Sequence, residues 1–148
     1  MEISFIAGYG PIARSVEDSH AFWAGTLGLP LSEIAPGYYG TDDLDGARAF
    51  AVWPLAQAAA SVFGEGASEW PADIPAPQSW IELDVASPEA VADAVAELEA
   101  AGATVLRGAS TEPWGQITSR VLTPEGLLLG VTFTPWMHED SSTDESDA

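Results

Sequence analysis

Glu82 stands in the stretch SWIELDV, where apolar and polar residues alternate with the two-residue period of a strand. Ile81, Leu83 and Val85 share one face, suited to packing on a helix, while Trp80, Glu82 and Asp84 share the other. A carboxylate among aromatic groups holds its proton unless a cation or hydrogen-bond donor compensates the lost water. Glu82 is therefore a candidate general acid/base, or a counter-ion for a cationic ligand; a structural pair with Arg120 or Arg48 is the competing role. In PWGQITSRVL the same alternation puts Gln116, Thr118 and Arg120 on one face, which supplies donors if that face points inward and a solvated rim if it points out. Trp53, Trp80 and Trp114, with Tyr38 and Tyr39, can stack a planar ligand or serve as core and dimer interface. Other chemistries find little support. There is no cysteine, so thiolate catalysis, cysteine metal sites and disulfides are excluded. Ser15, Ser19 and Ser61 have no histidine at helical spacing, and IAGYGPIA runs into Pro11 where a phosphate loop would open a helix.

The elements that must position these residues repeat. Ser15 caps a helix over SVEDSHAFWAGTLG that stops at Gly28 and carries Val16, Ser19, Trp23 and Leu27 as a stripe. Ser87 and Pro88 open a second helix, ending at Gly102, with Val91, Val95 and Leu98 on one face. ISFIAGYG precedes the first helix, and LPLSEI, GYYGT and ARAFAVW follow it; SWIELDV precedes the second, and ATVLRG, QITSRVL and LLLGVTF follow. The order is βαβββ, twice. Pro54 breaks the strand that ends at Trp53 and leads into a short alanine-rich helix, and GEGASEWPADIPAPQ reads as a linker. TPEG makes the last hairpin, with Pro124 presetting the turn and Gly126 taking a positive φ. The first module spans about 1–66, the linker about 65–78 and the second module about 78–137; residues 138–148 are expected to form an acidic disordered tail. The 148 residues carry 23 acids against 4 arginines, a net charge of −19. Such a surface repels nucleic acid and attracts cations, although genome composition or a salty cytoplasm yields the same charge. No apolar run is long enough to span a membrane, and MEISFIAGYG lacks a signal-peptide pattern, so no membrane association and a cytoplasmic location are expected.

Three pieces, SVEDSHAFWAGTLGLPL, WIELDVASPEAVADAVAELEAAGA and PWGQITSRVLTPEGLLLGV, resemble in order and spacing the glyoxalase, bleomycin-resistance and dioxygenase group, the vicinal oxygen chelate superfamily. The resemblance covers residues 1 to about 137 and implies an α+β fold, two βαβββ modules forming curved mixed sheets around a cavity, usually as a homodimer. Metal-dependent members carry ligands on the first, fourth, fifth and eighth strands. By spacing those places hold Gly8, a position near Trp53, Trp80 and Gly130, none able to bind a metal. His20 is expected as a surface helix residue and His138 as a chain-end residue. No metal or cofactor is implied. The leading function is a metal-independent binder of a small, partly apolar and preferably cationic and planar molecule, in the manner of drug-sequestering members. Its expected contacts are Tyr39, Trp53, Trp80, Glu82, Trp114, Gln116 and Arg120, with Gly130 leaving an open apolar floor beside Leu128 and Thr132. The alternative is a metal-free isomerase, epimerase or lyase acting on a carbonyl compound with Glu82 as acid/base, and a third reading is a structural or regulatory partner protein.

Overall fold

A computed structural model describes residues 1–26, 28–123 and 126–139. Both halves follow the expected order. Strand β1 (Phe5–Ala13) leads into helix α1 (Val16–His20), then β2 (Ser32–Ala35), β3 (Tyr38–Thr41) and β4 (Phe50–Pro54). Helix α2 (Leu55–Phe63) connects to the second half, which runs β5 (Ser79–Asp84), α3 (Pro88–Ala100), β6 (Thr104–Thr111), β7 (Ile117–Leu122) and β8 (Leu128–Phe133). The eight strands form one curved mixed sheet in the order β2-β3-β4-β1-β5-β8-β7-β6. In each half the first strand runs parallel to the last, and the halves meet where β1 lies antiparallel to β5.

Local sequence explains the elements. Ser87 Oγ accepts from the Ala90 N–H and Pro88 opens α3, so the first turn lacks fewer partners. Val91 and Ala94 then meet Val85 and Val131 in a buried cluster on one side of the sheet. Ser15 caps α1 in the same way, but the helix keeps α geometry only to His20 and widens to π turns over Ala21–Thr26, where a uniform helix to Gly28 was expected. The wider turns bring the Trp23 ring to 5.4 Å from Phe50. Leu27 and Pro124 lie outside the described residues; Gly126 has the expected positive φ of 85°.

The opposite side of the sheet carries a second cluster, in which Trp53 and Trp80 meet edge to face at 6.2 Å over Ala51, Ala58, Val62 and Leu128. The Trp80 indole N–H donates to the Ala51 carbonyl at 3.0 Å, which ties β5 to β4 across β1. That crossing needs glycine beneath it: a Cβ on Gly10 would stand 1.8 Å from the Ala51 oxygen. The linker is anchored through Trp70, whose indole donates to Ile74 O and whose ring meets Phe63 at 5.1 Å. His138, expected as a chain-end residue, docks instead: its ring stacks on Phe133 at 4.6 Å and its Nε2 meets Asp84, a fully buried carboxylate that also accepts from Thr132 Oγ1 and the Thr134 N–H. Aromatic stacking and a buried acceptor outweigh the pull of solvent at this end.

Gly10→Ala should lower stability by about 3 kcal/mol, because the strands cannot part enough to admit the methyl without breaking the β1–β4 pairing. Denaturant unfolding of the variant checks it, and a change below about 1 kcal/mol would contradict the packing.

Candidate functional site

The face of the sheet that carries Trp53 and Trp80 opens into a cleft of about 1020 Å³ lined from both halves, by Tyr38, Phe50 and Trp53 from the first and Trp80, Glu82, Gln116 and Arg120 from the second. Glu82 lies at its centre for a reason of register: it pairs with Gly8 on β1 and with Gly130 on β8, so two residues without side chains flank it on neighbouring strands. The free lanes are taken by larger groups from elsewhere. A Cβ on Gly8 would lie 3.0 Å from the Trp80 ring, and one on Gly130 would lie 3.0 Å from Arg120 Nη1 and 3.1 Å from Glu82 Cγ. The open apolar floor expected beside Gly130 is therefore absent, because a guanidinium occupies the space that the glycine vacates.

Arg120 organises what surrounds it. Its side chain is 1% exposed; Nη1 donates to Glu82 Oε1 at 3.0 Å, Nε donates to Ser61 Oγ at 3.0 Å, and Nη2 lies 3.5 Å from Glu112 Oε1. The guanidinium carbon also sits 4.9 Å from the Trp53 ring centroid, within cation–π range. Glu112 is buried and receives the Ser61 hydroxyl at 2.5 Å and the Thr118 hydroxyl at 3.1 Å. Gln116 donates to Glu82 Oε2 at 2.8 Å and to Thr134 Oγ1 at 2.9 Å, and accepts from the Trp114 indole at 3.0 Å. Thr118 and Arg120 of β7, with Gln116 just before it, thus share a face that points inward. Two carboxylates hold one cation in a site largely withdrawn from water, supported by hydrogen bonds from Gln116, Ser61 and Thr118, while the buried Arg120 Nη2 has the 3.5 Å ion pair with Glu112 and no hydrogen bond.

The expected contacts divide. Trp53, Trp80, Glu82, Gln116 and Arg120 converge on the cleft, and Trp114, half exposed, stands at its rim. Glu82 pairs with Arg120; Arg48 lies over the Phe5 ring at 3.9 Å instead. Tyr39 is corrected. Consecutive residues of a strand point to opposite sides, and Tyr38 takes the cleft side of β3 while the Tyr39 ring meets His20 at 4.2 Å. Burial, with the Glu82 charge adding to it and Arg120 opposing, holds the Tyr38 phenol well above its ordinary value, so it stays protonated as a donor. Ser61 and Glu112 were missed: Ser61 is the lone hydroxyl of an alanine-rich helix, the one available signal, and Glu112 sits in a turn before Pro113 where an acid reads as solvated.

The metal that some relatives of this fold use does not fit these residues. Gly8, Trp53, Trp80 and Gly130 offer no ligand atoms, and among the described residues no three of His, Asp or Glu are grouped to hold an ion. Paired βαβββ modules in one curved sheet, with a cleft on one face, define the glyoxalase/bleomycin resistance/dioxygenase fold class. The chain belongs to the family of the glyoxalase-like domain, whose model matches residues 12–132. Among solved structures it is similar to a glyoxalase/bleomycin resistance protein/dioxygenase superfamily member from Vibrio splendidus 12B01, with a TM-score of 0.57, 17% identity, and 90% of this chain and 100% of that one covered. An NAD-dependent benzaldehyde dehydrogenase from Legionella pneumophila is similar at a TM-score of 0.58 and 12% identity, over 85% of this chain and 96% of that one. A Mn(II)-bound glyoxalase from Novosphingobium aromaticivorans is similar at 0.50 and 21%, over 88% of this chain and 39% of that one. No curated protein matches.

Arg120→Met should destabilise the fold by about 3–5 kcal/mol, since it strands two acids in a dry site, and adding Glu82→Gln with Glu112→Gln should restore part of the loss. Urea unfolding of the single and triple variants checks both halves of this expectation. The Tyr38 shift contributes stability that is fully present below the unfolded phenol value of about 10 and is lost as pH rises toward the higher folded value. Tyr38→Phe should therefore flatten the fall in unfolding midpoint above about pH 10, and an unchanged alkaline slope would refute the placement of that phenol.

Proposed function

We propose that the protein is a metal-independent binder of a small, partly apolar molecule, taken up in the large cleft and held by its aromatic wall and by Glu82. The observation that carries the reading is the exchange at Gly130: an internal Arg120–Glu82 pair fills the space at a glycine where metal-dependent members place a carboxylate ligand. Arg120 is sealed beneath, whereas the Glu82 side chain keeps 13% of its surface exposed, so the group a ligand meets is a carboxylate. Asp42, Asp43 and Arg48 line the same cleft, so acids still outnumber bases on its wall. A flat molecule with an ammonium, amidinium or N–H edge can place that edge on Glu82 and its rings against Trp53, Trp80 and Tyr38.

Glu82 also supports a second reading. Fixed by Arg120 and Gln116 and open on one side, it suits the acid/base role of a metal-free isomerase, epimerase or lyase step on a carbonyl compound. The third, a structural or regulatory partner protein, draws no support from an aromatic cleft of this size. A homodimer fits the exposed apolar groups Ile34, Trp114 and Trp136.

Titration of flat aromatic cations, without added metal, should quench Trp fluorescence. Glu82→Gln should weaken the cation by about 1–3 kcal/mol and a neutral isostere much less. Equal loss for both would defeat the charge contact, and intact affinity with lost turnover of a carbonyl substrate would establish the enzyme in place of the binder. Light scattering at micromolar concentration in moderate salt should give the mass of two chains; one chain's mass would refute the dimer.

A further inference from the structure

A second, smaller cleft of about 470 Å³ opens between α2 and β6, behind the wall of the first. Three charged groups line it that do not line the large cleft, Glu112, Arg107 and the exposed Glu65, and one residue, Ser61, holds the first two. The Ser61 hydroxyl donates to Glu112 Oε1 at 2.5 Å, and the Ser61 carbonyl accepts from Arg107 Nη1. The Thr118 and Arg120 contacts of Glu112 fall on that same Oε1. Among the described residues no hydrogen bond reaches Glu112 Oε2, and this oxygen is not sealed, although the residue is only 5% exposed. Arg107 is in the complementary condition: Nη1 is used, while Nε and Nη2 make no hydrogen bond among the described residues. Trp53 and Trp114 complete the walls.

A buried acceptor and a half-buried fork of donors thus stand on either side of Ser61, next to aromatic surface. Neither a simple cation nor a simple anion satisfies both, because each would face one group of its own sign. A molecule with an ammonium and a carboxylate on one carbon matches the pair, with the guanidinium fork taking the carboxylate in two parallel bonds. We propose that the smaller cleft is a second binding site, for a free α-amino acid with an apolar side chain, its ammonium on Glu112 Oε2 and its carboxylate on Arg107. A peptide terminus offers only one of the two charges. The proposal does not depend on which molecule the large cleft holds, although Trp53 and Trp114 wall both clefts.

Isothermal titration of the full chain with L-phenylalanine, phenethylamine and 3-phenylpropanoate, run in excess 9-aminoacridine so that a flat aromatic cation already occupies the large cleft, separates these cases. L-phenylalanine should bind one per chain, and each singly charged analogue should bind at least about tenfold more weakly. Arg107→Gln, on a strand near the sheet edge, should weaken L-phenylalanine about tenfold and leave phenethylamine unchanged. Glu112→Gln should do the reverse, with 3-phenylpropanoate unmoved; because Glu112 supports Arg120, its thermal unfolding is recorded alongside, and the Arg107 variant decides alone if that fold is lost. Equal affinity for all three probes, no binding of L-phenylalanine, or affinity indifferent to Arg107→Gln would overturn the proposal.

Discussion

A guanidinium withdrawn from water is the constraint to which the rest of this molecule answers. Among the described residues Arg120 is the largest fully buried side chain, and its charge has to be met inside the protein. Glu82 and Glu112 meet it from β5 and from the turn before β7, Ser61 meets it from α2, and Trp53 covers it from β4. Elements from both halves are therefore committed to one cation. Loss of any of them leaves a buried charge short of a partner, which ties the integrity of the cleft to that of the fold.

The same arrangement separates two properties that a metal centre would join. A metal ion draws carboxylates together and remains open to a ligand, so structural support and ligand contact reside in one atom. Here the cation is covered, and of its two acids Glu82 is the one that faces the large cleft. A ligand on this wall meets the Glu82 oxygens and indole faces, and the Arg120 charge acts on it at second hand by fixing how those oxygens point.

Much of this was legible beforehand. The period-two pattern of SWIELDV and PWGQITSRVL placed Glu82, Gln116 and Arg120 on shared faces, and the capped helix after Ser87 fixed which side of β5 is covered. The repeated order gave the fold class, and the resemblance on three stretches gave the family. What alternation cannot supply is which of two adjacent aromatics turns inward; Tyr38 and Tyr39 are equivalent until the register of β3 on β4 is known. Nor can it find a partner far along the chain. Ser61 lies 59 residues from Arg120, and its role exists only once α2 has folded over the sheet. Glycine misled for another reason: at Gly130 an absent side chain reads as open space, whereas close packing lets a neighbour claim it.

The seam between the halves has a kinetic meaning. β1 and β5 are joined by main-chain bonds along a line where Gly8 and Gly10 contribute no side chains, so the two halves adhere there more through backbone than through interdigitation. Amide protons on that line exchange when the halves part, and those between β7 and β8 exchange only when the second half itself comes apart. The difference between the two exchange rates, taken as a free energy, measures the strength of the bond between a half and its repeat, a quantity that neither half possesses alone.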